Sequence, residues 1–334
     1  MPPPSPTDGS RKSVVAALVG NVLVTITKVV AAVVTGSAAM LSEALHSFVD
    51  TGNGMLLLHG MRMARRRADR EHPAGYGRKL YFWSFIVALL VFALGAGVSI
   101  LQGVRRIADP QAIANPVVSA VVLGLAFLFE GWSWTVSWRQ FRAAKGTQGW
   151  YEAVVRSKDP PLYMVLLEDS AALLGIVIAA AGTVLSVLAG MERADGVASV
   201  LIGLVLAGVS VLLARESKSL LIGEPADRSF TESLLRIANG VCEDGMTRAN
   251  GAITLQMAPD QVMAAISLEF DDRLRAPEIE RLVATLEARI HEAHPEVVTL
   301  FVKPQSPQQF TQAVRARYGD DGPPLAEQGQ AVMH

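Results

Sequence analysis

Glu43, His46 and Asp50 stand at i, i+3 and i+7. On a helix of 3.6 residues per turn those positions share one face. They lie inside an apolar run, from about Ala38 to Met61, long enough to cross a bilayer as a helix. An ionisable group is costly against lipid, so such a stripe faces protein or a water-filled cavity and is expected to bind something. One imidazole and two carboxylates make a partial ligand set for a divalent transition metal. A second acidic pair, Glu168-Asp169, sits inside another apolar run that begins at Leu162. Counted from opposite ends of their runs, Asp169 and the His46/Asp50 pair reach a similar depth. A four-coordinate ion would take His46, Asp50 and Asp169, with a fourth ligand from Glu168, Glu43, a backbone oxygen or water. A ligand atom must be free of its proton, so metal and protons compete for the same atoms, and His46 is the natural exchangeable group.

Hydrophobic residues make up 51% of the 334 and charged residues only 18%. That is too apolar for an ordinary soluble globule and suits a membrane protein with a polar appendage. A formal net charge of −1 argues against a nucleic-acid partner. The single cysteine, Cys242, excludes an intrachain disulfide and a cysteine-based metal site. No nucleophile–base pair, phosphate loop or two-histidine protease motif supports an enzyme. No prosthetic group is expected.

Six apolar spans are predicted to position the ionisable residues: about Ser13–Thr35, Ala38–Met61, Phe82–Val104, Pro116–Trp138, Leu162–Ala189 and Gly196–Ala214. Gly95, Gly97 and Gly103 in the third permit close helix contact. Arg and Lys crowd the connections after the second and fourth spans, Arg65–Arg67 among them, which predicts that both termini are cytoplasmic. Glu130 in the fourth span is a candidate partner for Lys28 in the first, and Asn53 a candidate interhelical hydrogen-bond partner. Residues 1–12 read as a disordered segment and 13–222 as the six-helix transport domain. Residues 223–305 read as a small α+β domain of order helix-strand-strand-helix-strand, and 306–334 as a flexible tail.

The sequence resembles the cation diffusion facilitator family of zinc transporters. The likeness rests on Gly36-Ser37, on Ser42-Glu-Ala-Leu-His46-Ser-Phe-Val-Asp50 and on Ala68-Asp69-Arg-Glu-His72-Pro-Ala-Gly75-Tyr-Gly77. Asp169, Asp195 and the small C-terminal domain add to it. The resemblance implies six spans, a homodimer, a ferredoxin-like cytoplasmic domain, and export of a divalent metal against inward proton flow. It also implies that His46, Asp50 and Asp169 are ligands. Most family members carry His or Asp where this chain has Val165; Glu168-Asp169 is similar instead to the subgroup containing the ninth human zinc transporter. A loop site in some members needs an Asp and two His; Asp69 and His72 match, but Tyr76 holds the last position. His291 and His294 do not match the positions that bind metal in other small domains. The expectation is therefore a homodimeric, proton-coupled zinc exporter in contact with membrane lipids, located in a bacterial inner membrane. A manganese, iron, cobalt or nickel exporter, or a non-transporting scaffold or metal sensor, are the alternatives.

Overall fold

The computed structural model describes residues 6–36, 38–110, 116–147, 149–241 and 246–318. The side chain of Glu43, and Ser37 and Cys242 entirely, lie outside the described residues. The chain divides into two compact units, Met1–Ile222 and Gly223–His334.

The first unit is helical: α1 (Pro6–Thr35), α2 (Ala38–Ala64), α3 (Lys79–Leu90), α4 (Gly97–Ala108), α5 (Pro116–Lys145), α6 (Trp150–Arg156), α7 (Pro160–Leu188) and α8 (Arg193–Ile222). A π-helical turn at Val91–Ala96 joins α3 to α4, so Lys79–Ala108 runs as one rod. Among the described residues four rods are long and apolar enough to cross a membrane: Lys79–Ala108, Pro116–Lys145, Pro160–Leu188 and Arg193–Ile222. A shorter apolar stretch, Gly20–Thr35, lies within α1. Leu23, Ile26, Val30 and Val33 on α1 and Val121, Leu128 and Trp132 on α5 are exposed. Apolar side chains standing outward on helices of this length suit lipid as solvent.

Local signals set the ends. Gly36 closes α1 with φ +63°, a left-handed conformation that favours glycine, and its N–H donates to Ala32 O at 2.9 Å. Arg106 Nη2 donates to the Gly36 carbonyl at 2.6 Å, and its Nε stands 3.7 Å from the fully buried Asp195. Two positions that carried the family likeness, Gly36 and Asp195, are thus clamped by one guanidinium. Pro160 and Pro161 occupy the first turn of α7, where the missing N–H costs nothing.

Glycines decide how closely α4 and α8 cross. A Cβ on Gly103 would fall 2.6 Å from Gly196 O, and one on Gly203 would fall 2.6 Å from Ile100 Cγ1. Of the three glycines predicted to permit close contact, Gly103 is the one pressed against neighbouring backbone. A Cβ on Gly95 would fall 3.4 Å from Leu206 Cδ1 and one on Gly97 would fall 3.7 Å from Phe92 O, both ordinary contacts.

The second unit contains α9 (Arg228–Val241), β1 (Met246–Ala258), β2 (Gln261–Phe270), α10 (Ala276–Ala293), β3 (Val297–Pro304) and α11 (Pro307–Tyr318). The sheet order is β1-β2-β3, with β1 antiparallel and β3 parallel to β2. Ala264, Ile266 and Leu268 alternate along β2 and bury against Leu234 and Ala238 of α9 and Leu286 and Ile290 of α10. The i, i+2 spacing of the strand meets the i, i+4 spacing of the helices, which gives each element one apolar face.

Two stretches read as loose are helical where described: α1 starts at Pro6, and α11 occupies Pro307–Tyr318. The reason is the same in both. Proline in a first turn is pre-set for helix, and Ser306 Oγ accepts the Gln309 N–H at 3.4 Å as an N-cap. Residues 1–5 and 319–334 lie outside the described residues.

Candidate metal centre

Asp50 of α2 and Glu168 and Asp169 of α7 line one small cavity of about 20 Å³, with Leu18, Asn21, Gly54, Leu57 and Val165. That is room for about one water-sized species. All three carboxylates are buried. Consecutive residues on a helix point about 100° apart, and the acids of α7 use that difference. Glu168 faces α2, where Asn53 Nδ2 donates to its Oε1 at 3.0 Å. Asp169 faces α5, where Ser133 and Ser137 donate to its Oδ2 at 2.9 and 3.2 Å.

His46 is 1% exposed, and its Nε2 stands 3.3 Å from Asp50 Oδ2. That contact lacks hydrogen-bond geometry. Both imidazole nitrogens, Asp50 Oδ1 and Asn53 Oδ1 are buried without a hydrogen-bond partner. A buried polar atom left unpaired is costly, so such atoms gathered in one place call for a ligand. The donor set, one imidazole with carboxylates, fits a divalent cation.

The predicted residues are therefore partly gathered. Asp50, Glu168 and Asp169 share the cavity; His46 flanks it through Asp50. Among the described residues no three His, Cys, Asp or Glu side chains form a ready cluster for an ion. Asp169 is held by the serines of α5 and Glu168 by the amide of α2, on different sides of α7.

The pairing expected between Lys28 and Glu130 is present. Lys28 Nζ lies 3.5 Å from Glu130 Oε1, and both side chains are buried. Asn53 makes the interhelical bond predicted for it. Ser133 and Ser137 were not singled out from the sequence, although Glu130, Ser133 and Ser137 repeat the i, i+3, i+7 spacing of Glu43, His46 and Asp50.

In the loop between α2 and α3, Tyr76 Oη donates to Asp69 Oδ2 at 2.6 Å. Asp69 Oδ1 accepts the backbone N–H groups of Glu71 and His72 at 3.0 and 2.8 Å. The His72 and Tyr76 rings pack with their centroids 4.2 Å apart, tilted by 30°. The phenol bond, then the backbone N–H bonds, hold the Asp69 carboxyl below its ordinary range. This contribution to loop order is fully present above the ordinary carboxylate pKa and is lost as pH falls through the lowered one. Tyr76→Phe is expected to move the Asp69 titration upward, toward the ordinary value, when followed by carboxyl NMR. An unmoved titration would show that the phenol does not hold it.

The model of the cation efflux transmembrane domain matches residues 14–222. The chain belongs to the cation efflux family. The likeness to cation diffusion facilitators, and to the subgroup of the ninth zinc transporter, therefore stands. The cation efflux chain is 32% identical over 269 residues to the mitochondrial proton-coupled zinc antiporter SLC30A9 of Xenopus laevis, covering 80% of this chain and 48% of that protein. The human SLC30A9 is 31% identical over 269 residues, covering 80% and 47%. Metal tolerance protein C4 of Arabidopsis thaliana is 32% identical over 229 residues, covering 68% and 50%. The chain spans about half the length of the curated relatives it matches. These relatives correct one expectation: SLC30A9 is named as mitochondrial, which overturns the bacterial inner membrane as the location.

Proposed function

We propose that this cation efflux chain carries a divalent metal ion, zinc first, across a membrane in exchange for protons. The observation that carries the reading is the meeting of Asp50, Glu168 and Asp169 on one buried cavity beside His46. The proposed ligands are His46, Asp50 and Asp169, with Glu168 as the fourth. Val165 lines the same cavity. Glu168 stands at i+3 from it, on the adjoining turn of the same face, and takes the place of the His or Asp that most members of the wider family carry at that position. Glu43 is kept as an outer residue of the same helix. Asp69 and His72 fall outside the set, because the oxygens of Asp69 already accept three hydrogen bonds.

Ser133 and Ser137 engage Oδ2 of Asp169 and Asn53 engages Oε1 of Glu168, so the second oxygen of each acid is the proposed ligand atom. Those donors hold the acids while the ion is away. A dication and a pair of protons compensate the same charge on the carboxylates, so one can replace the other without leaving the site more highly charged. Alternation would tilt helices around a fixed site. α1, α2, the α3–α4 rod, α5, α7 and α8 are proposed as six spans. The second unit is proposed as a ferredoxin-like domain and the assembly as a homodimer. The names of the zinc antiporter relatives support zinc and protons as the exchanged species. A second reading, a manganese, iron, cobalt or nickel exporter, is favoured by the excess of carboxylates over imidazole.

The test is reconstitution into vesicles with an internal pH dye, adding one metal at a time. Zinc is expected to drive proton movement. A response to a harder ion alone would transfer the assignment to the second reading. Silence with every metal, in protein shown to be folded and inserted, would end the transport reading.

A further inference from the structure

Lys28 is fully buried in α1, among helices where an ammonium is expensive to place. Its Nζ lies 3.5 Å from Glu130 Oε1 on α5. Its stem borders a separate cavity of about 170 Å³ lined by Leu23, Val24, Val122 and Phe129 among others. The charge does not act on Glu130 alone. Glu130 shares a face of α5 with Ser133 and Ser137, whose hydroxyls hold Asp169, and Thr25, one turn before Lys28, donates to the Ser47 carbonyl beside His46. When ionised, Asp50, Glu130, Glu168 and Asp169 bring four negative charges and Lys28 one positive. The pair thus belongs to the same charged interior as the cavity, although neither residue lines it.

We propose that Lys28 is a tethered counter-cation of the metal site, and that the Lys28–Glu130 pair sets how tightly the site holds its ion. The proposal rests on the metal-site reading above. Lys28 keeps the carboxylates from holding a dication too strongly, so that the ion can leave. Glu130 holds the ammonium at its distance and adds one negative charge of its own. Both are positioning residues, acting on the ligands through the field. A staple that merely joins α1 to α5 would behave differently: removing either partner would leave one buried charge alone and harm the site in the same direction.

The experiment is zinc titration of the purified full chain in detergent, read as the dissociation constant at fixed pH and ionic strength. Lys28→Met is expected to bind zinc at least about tenfold tighter, and Glu130→Gln at least about tenfold more weakly. At an effective dielectric constant of about 20, a unit charge anywhere within about 20 Å of a dication is enough for that. Lys28→Arg keeps the charge and is expected to stay near the parent value. Glu130→Gln removes charge at nearly constant shape, so it decides the matter alone should Lys28→Met not fold. Shifts of both variants in the same direction, or an unmoved Glu130→Gln, overturn the proposal while zinc binding by the parent keeps the site reading intact. If the parent binds no zinc and Asp50→Ala changes nothing, the site reading fails and this proposal falls with it.

Discussion

Asp50→Ala and Asp169→Ala are each expected to abolish zinc-driven proton movement in vesicles, and to weaken zinc binding by at least about a hundredfold. Substitutions around a metal site that leave the ligands in place already cost about 10–100-fold, so losing a ligand should cost no less. Folding is not expected to be the reason for the loss. Asp50 Oδ1 is buried without a hydrogen-bond partner among the described residues, and its Oδ2 stands 3.3 Å from His46 Nε2 without hydrogen-bond geometry. Removing that carboxylate relieves the interior of a buried acid rather than breaking a bond. Asp169 does hold Ser133 and Ser137, so Asp169→Asn, which keeps an oxygen acceptor for those hydroxyls, is the companion variant. It should retain a parent-like melting temperature and still fail to bind. Full transport by either alanine variant would remove that residue from the ligand set.

Gly103→Val and Gly203→Val are expected to produce the largest structural damage. A Cβ at Gly103 would approach Gly196 O to 2.6 Å and Val200 N to 2.7 Å; both are backbone atoms and cannot step aside. At Gly203 the backbone contacts are Ala96 O and Ile100 N, each at 3.0 Å. Overpacking of this kind costs about 1–3 kcal/mol, sometimes more, and here it would force two long helices apart. The check is thermal unfolding in detergent, with Gly208→Ala as control, since a Cβ there meets nothing within 4 Å. Melting temperatures for the Gly103 and Gly203 variants equal to the control would show that α4 and α8 do not rely on this crossing.

Much of the membrane unit was legible because two rules act at once. Long apolar runs fix where helices lie, and the expense of a charge inside them marks what the helices are for. His46, Asp50, Glu168 and Asp169 were visible for that reason, as was the Lys28–Glu130 pair. The serines of α5 were not, because a hydroxyl in a helix can satisfy itself on its own backbone and so leaves little trace. Their i, i+3, i+7 spacing with Glu130 was the available signal. Spacing also could not show that Asp169 turns toward α5 while Glu168 turns toward α2. Which of two adjacent acids meets which neighbour depends on helix rotation, and rotation is set by packing. In the second unit the apolar alternation of β2 and the helical spacing of α9 and α10 gave the element order. The proline-led helices at both ends escaped because composition outweighed the capping signal.

The π turn at Val91–Ala96 has a mechanical meaning. A wide turn carries one residue more than the regular spiral needs, and that surplus loosens the local ladder. Both segments pack on α8 and on α2, which bears His46 and Asp50, but the glycine crossing through Gly103 and Gly203 presses α8 against the later part of the rod. The rod is therefore two levers sharing a knuckle. A bend at that knuckle would let the earlier segment follow a shift of α2 with little strain on the tight crossing.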